Sequence, residues 1–155
     1  MKALLEESAR RAITYLDAVQ TRSVRPSFEA VDALRALEEP MPDSPSQANE
    51  VLARLDELVS PATMAMAGPR FFGFVIGGSL PVALAANWLA GAWDQNAGLN
   101  ASTPGVARLE EVVLRWLVDI FGLPAGCAAG FVTGATVANF TALAAARNAV
   151  LKRVG

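Results

Sequence analysis

The sequence predicts an α/β chain in two parts: a helical arm over residues 1–68, then the opening units of a larger α/β domain over residues 69–155. Three observations predict it. Charge is crowded into the first 60 residues, which hold 18 of the 28 charged side chains. Two long stretches, Phe71–Trp93 and Ile120–Ala146, carry no formal charge but are broken by glycine and proline. The second contains a short apolar run, a small-residue turn and a helical pattern in that order, the opening of an α/β unit.

The elements follow in chain order. Leu4, Leu5, Ala9, Ala12, Ile13, Leu16 and Val19 recur at helical spacing and predict a first amphipathic helix over 2–20. Ser27 is placed to cap a second, carrying Val31, Leu34 and Leu37 and stopping before Pro40. Ser44-Pro45-Ser46-Gln47 reads as a cap, a first-turn proline and a capping-box Gln ahead of a third helix with Val51, Leu52, Leu55, Leu58 and Val59. Phe71–Ile76 is extended in character and ends at Gly77-Gly78. Ser79 is placed to cap a helix through Leu84, Trp88 and Trp93. A loop from Asp94 to Ser102 follows, and a turn role for Asp94 is favoured over a chemical one. Thr103-Pro104 opens a further helix whose apolar face holds Val112, Val113, Trp116, Leu117 and Ile120, and Gly122-Leu123-Pro124 closes it. Gly130–Thr133 is a buried strand candidate running into a last helix with Phe140, Leu143, Ala144, Val150 and Leu151. No return strand follows within the sequence, so the sheet is expected to be incomplete in this chain.

Composition excludes several functions. The 155 residues include no histidine, one cysteine and a net charge of −2. Histidine-based triads, multi-cysteine metal sites and a disulfide framework are excluded, and no metal site is expected. Nothing is basic enough to grip a nucleic-acid backbone. No signal peptide is evident, the uncharged runs are too interrupted for a membrane span, and a cytoplasmic location is expected. Cys127, among alanines and glycines, reads as small and structural.

The turn at Thr133–Asn139 is the most informative chemical feature. A helix N-terminus offers unpaired backbone N–H groups and partial positive charge. Gly134 and Ala135 allow close approach to the backbone, and the Thr136 hydroxyl can donate to an anionic oxygen. Together they form a candidate cradle for a phosphate or carboxylate, against the plainer reading of an ordinary turn with Thr136 as a cap. The spacing fits neither a P-loop nor a dinucleotide fingerprint.

Five segments in order resemble one family: Phe71-Phe72-Gly73-Phe74, Gly77-Gly78-Ser79-Leu80-Pro81, Trp93-Asp94-Gln95-Asn96-Ala97-Gly98-Leu99, the Pro104–Glu110 helix start, and Thr133-Gly134-Ala135-Thr136-Val137-Ala138-Asn139. They are similar to the N-terminal third of the group II pyridoxal-phosphate-dependent amino-acid decarboxylases. The resemblance implies a fold type I, PLP-dependent transferase-like large domain, incomplete here, and a homodimer whose N-terminal arm packs on the partner. It implies pyridoxal 5′-phosphate as cofactor, held by Gly134, Ala135 and Thr136, and an amino-acid substrate lined by Phe74 and Ser79. It implies decarboxylation of an L-amino acid through an external aldimine. The family's Schiff-base lysine falls beyond the matched segments, so the 155-residue chain alone is expected not to turn over. Two departures stand out: Gly68-Pro69 replaces a common His-Pro, and Ile76 replaces a polar residue of the pocket. The competing reading is a non-catalytic helical interaction or dimerisation protein derived from that family.

Overall fold

The computed structural model describes residues 1–96 and 98–155. Ala97, inside the Trp93–Leu99 segment singled out above, lies outside the described residues. Six α-helices form: α1 (Lys2–Val19), α2 (Phe28–Asp32), α3 (Ala48–Val59), α4 (Pro81–Trp93), α5 (Pro104–Ile120) and α6 (Ala135–Val154). Short 3-10 turns follow α2 at Ala33–Leu37 and α3 at Ser60–Ala62. The chain divides into two compact units, Met1–Asn87 and Trp88–Gly155.

The first unit is fastened where α1, α3 and the segment after α3 meet. Val19 and Ala65 are buried there, and the Ala65 N–H donates to the Val24 carbonyl at 2.9 Å. Of the expected apolar set, Leu4, Ala9, Ala12, Leu16 and Val19 lie on the covered side of α1, joined by Ser8, Arg11 and Tyr15, while Leu5 and Ile13 point outward. This corrects the apolar set expected from periodicity. Polar side chains took inward places because they have partners across the gap. Arg11 reaches Asp56 at 2.8 Å, and the Tyr15 hydroxyl meets Thr63 Oγ1 at 2.8 Å. Arg22 spreads its guanidinium over the carbonyls of Ser60 (3.2 Å), Pro61 (3.1 Å) and Thr63 (3.2 Å), and lies 5.0 Å from the Tyr15 ring centroid. Gly68 sits so close that an added Cβ would lie 2.9 Å from the Val19 carbonyl oxygen.

Glu7 accepts from Arg10 at 2.6 Å and from Arg11 at 2.7 Å, and these bonds, Arg10's first, hold its carboxyl at about 2, against an ordinary 4.5. The Asp56 carboxyl is also lowered, first by the Ser60 hydroxyl at 2.5 Å and then by Arg11. Both pKa values are depressed on folding, so both groups stabilise the arm above their unfolded pKa, and that contribution disappears as the pH falls through the folded value. The arm is expected to lose stability between about pH 4.5 and about 2 for Glu7. Urea melts across that range check it: Glu7→Gln should flatten the acid limb, and an unchanged limb would refute the assignment.

Helix ends follow local chemistry. Ser27 caps α2 by accepting from the Ala30 N–H at 3.2 Å. α5 closes with the Leu123 N–H on the Val118 carbonyl and the Gly122 N–H on that of Asp119, both 2.9 Å, with Gly122 left-handed at φ +61°. This is the Schellman arrangement expected from Gly122-Leu123-Pro124. Asp94, also left-handed at φ +48°, follows α4 and donates to the Ala90 carbonyl at 3.2 Å, a turn role.

Two caps differ from expectation. α3 begins at Ala48 rather than near Pro45, with Gln47 as cap residue and no side-chain cap. The first bond of α4 runs from the Leu84 N–H to the Leu80 carbonyl, which makes Leu80, not Ser79, its cap residue.

The expected α/β character is not seen. Among the described residues every regular element is helical. Phe71–Ile76 and Gly130–Thr133, the two extended candidates, are irregular. A strand is defined by a ladder to a neighbour, and neither segment has one here.

Candidate functional site

The candidate cofactor residues fall together at the start of α6. Gly134 is the cap residue, and the first helical bond runs from the Ala138 N–H to its carbonyl at 3.0 Å. No side chain caps this end, and no acidic residue lies in the first turn. The N–H groups of Ala135, Thr136 and Val137 therefore precede the helical ladder and point along the helix axis with the positive end of the macrodipole. Nothing lies within 4 Å of where a Gly134 Cβ would stand, and Thr136 is exposed. An anion has free access to one hydroxyl and several backbone donors. At the other end, Lys152 and Arg153 occupy the last turn, where the dipole favours cations.

The candidate substrate residues, Phe74 and Ser79, belong to the first unit. Phe74 lies in the tight turn Gly73–Ile76, closed by the Ile76 N–H on the Gly73 carbonyl at 3.3 Å. Both central residues are left-handed, Phe74 at φ +56° and Val75 at φ +55°, the pattern of a type I′ turn. Asparagine and glycine normally occupy those places, and an L-residue pays about 1–2 kcal/mol for each left-handed φ. Neither side chain is packed to offset this: Phe74 is 80% exposed and Val75 fully so. Among the described residues the aromatic contact of Phe74 is Phe71, 6.4 Å between ring centroids. Ser79 is exposed in the approach to α4.

Thr103 opens α5 as the sequence predicts, and it also has a role that the sequence did not show. It is buried at 6% exposure and donates its hydroxyl to the Leu99 carbonyl at 3.1 Å, with the Asn96 carbonyl also in contact. It ties the loop after α4 to the start of α5, and the signal was its place just before a first-turn proline. Cys127 is exposed rather than a packed small residue. It lines a groove of about 520 Å³ with Leu114, Val118 and Leu123, and none of the candidate site residues lines that groove.

The sequence model described as the pyridoxal-dependent decarboxylase conserved domain matches residues 31–155. The chain belongs to the pyridoxal-dependent decarboxylase family. The family's cofactor is pyridoxal phosphate, and the open, uncapped start of α6 suits a phosphate. Among curated relatives, the chain is 26% identical over 151 residues to the aromatic-L-amino-acid decarboxylase of Bacillus atrophaeus, covering 97% of this chain and 32% of that protein. It is 26% identical to the aromatic-L-amino-acid decarboxylase of Cavia porcellus, covering 90% of this chain and 31% of that protein. It is 26% identical to L-tyrosine/L-DOPA decarboxylase 2 of Lophophora williamsii, covering 91% and 28%. The chain thus spans about a third of the length of the curated relatives it matches. Among the described residues no helix is long and apolar enough to cross a membrane.

Proposed function

We propose that this chain contributes the phosphate cradle and part of the substrate wall of a pyridoxal-dependent amino-acid decarboxylase that works as a homodimer. The observation that carries the reading is the uncapped start of α6, with Gly134, Ala135 and Thr136 in sequence, inside a segment matched by the family. In this reading the Ala135 and Thr136 N–H groups and the Thr136 hydroxyl hold the cofactor's phosphate and orient the ring it carries. Gly134 keeps the approach clear. Phe74 and Ser79 bound the amino acid, one with an apolar ring and the other with a hydroxyl. Pyridoxal phosphate, when bound, supplies the electron sink that takes up the charge left as CO₂ departs.

The same reading divides the chain into an arm over residues 1–68 and the start of a fold type I large domain over 69–155. In that domain Gly130–Thr133, irregular in this chain, would pair as a strand once it has a neighbour. The outward-facing Leu5, Ile13, Val51 and Leu55 of the arm meet the second subunit. The relatives' names direct the substrate toward aromatic L-amino acids.

Two substitutions test the cradle without touching chemistry. Ala135→Pro removes one N–H at the first helical position, where proline leaves the helix intact. Thr136→Ala removes the hydroxyl. Each loses a hydrogen bond to a charged group, about 1.5–3 kcal/mol or roughly 10- to 100-fold in affinity. Binding of pyridoxal phosphate followed by phosphorus NMR should weaken by that factor in both, with helicity by circular dichroism unchanged. Unaltered binding in both variants would refute the cradle and favour the alternative, a non-catalytic interaction protein.

A further inference from the structure

We infer that Gly73–Gly78 is a two-position strap: a left-handed turn in the free chain that straightens when an amino acid's side chain engages Phe74. The substrate half of this inference rests on the proposed role of Phe74; the two positions do not.

The observations come from sequence and backbone together. Phe71, Phe72, Phe74, Val75 and Ile76 are residues that favour extended chain. The structure nevertheless bends them, with Phe74 and Val75 both left-handed at φ +56° and +55°. A β-branched residue in that region is an outlier among L-residues. Local preference and observed conformation disagree, and such a segment has a competing state close in energy.

What holds the turn is slight. One hydrogen bond joins the Ile76 N–H to the Gly73 carbonyl at 3.3 Å, and the Phe71 ring leans on Gly73 and faces Phe74. Val75 touches too little to anchor it, being fully exposed.

The segment is also free to move. Gly77 and Gly78 have nothing within 4 Å of their Cβ positions, so no packed neighbour pins the downstream end there. Straightening breaks the turn's hydrogen bond, returns Val75 to negative φ and separates Phe74 from Phe71. A ligand that contacts Phe74 only in the straight position draws the strap toward it by that difference in affinity.

Substitutions at Val75 bias the strap while leaving Phe74 in place. Val75→Gly removes the penalty of one left-handed residue and should raise protection of the Ile76 amide against hydrogen exchange about five- to thirty-fold. Val75→Pro cannot adopt positive φ, and should abolish that protection. Both are read on the whole 155-residue chain, and the exposed site leaves folding undisturbed. L-phenylalanine serves as probe: saturating amounts should lower Ile76 protection in the unsubstituted chain and bind Val75→Pro more tightly than Val75→Gly. Equal Ile76 protection in all three proteins would overturn the strap. Protection that follows the expected order but ignores phenylalanine would instead overturn the substrate role of Phe74.

Discussion

Arg22→Ala is expected to destabilise the arm by roughly 3 kcal/mol, the upper range for hydrogen bonds to a charged group. One guanidinium reaches the carbonyls of Ser60, Pro61 and Thr63 at 3.1–3.2 Å, in and just after the short 3-10 turn that follows α3. Its face also covers Tyr15, whose hydroxyl continues to Thr63. Removing the side chain takes their partner from the Pro61 and Thr63 carbonyls and uncovers the ring together, while the Ser60 carbonyl keeps the Thr63 N–H and hydroxyl. Against a domain stability of about 5–15 kcal/mol the loss is large. Arg22→Lys keeps the charge but not the planar fork, and should recover less than half. Arg70→Ala removes one bond, to the Arg22 carbonyl at 2.5 Å, and serves as the mild comparison. Urea midpoints for the three variants decide the matter; an Arg22→Ala midpoint equal to that of the unsubstituted chain would refute it.

The second large effect concerns association. The chain exposes 12,693 Å². A folded protein of 16.3 kDa exposes about 7,500 Å², and two separate compact units of these sizes about 9,000 Å². The excess of about 3,700 Å² exceeds the roughly 800 Å² per partner of a standard interface several times over. Much of it is apolar. Leu5, Ile13, Val51 and Leu55 of the arm are each more than half exposed, and every residue of α6 is exposed. If the arm is the dimer contact, the unsubstituted chain sediments as a dimer and the double variant Ile13→Asp/Leu55→Asp as a monomer, with helicity retained. Two charges placed in a closed apolar contact cannot be desolvated without partners. A variant that stays dimeric would move the contact elsewhere.

How much of this was readable in advance depends on whether the deciding interaction is local. α1 was placed to within a residue because its period is intrinsic to the helix. The Ser27 cap and the Gly122 closure of α5 were visible because each is settled within a few residues. The start of α6 was legible only as a turn within Thr133–Asn139: Gly134 is its cap residue, and Thr136, offered as a cap, lies inside the first turn. The two extended candidates failed for the opposite reason: a strand needs a neighbour, which no local pattern supplies. The arm's interior was misread because Arg11 and Tyr15 belong inward only when Asp56 and Thr63, 45 and 48 positions later, come opposite them. Arg22 carried no motif at all. The candidate cradle was legible as residue types at a helix start. The left-handed pair at Phe74 and Val75 was not, because their composition argues for extended chain.

The fastening of the arm has a consequence for biosynthesis. Every bond named within it joins residues no later than Arg70. The uncharged run Phe71–Trp93 begins at the next position. N-terminal segments fold first as a chain is made, so this uncharged stretch leaves the ribosome already tethered to a folded body of net charge −3. The arm thus acts as a built-in solubility tag for the nascent chain, in force before any subunit contact exists.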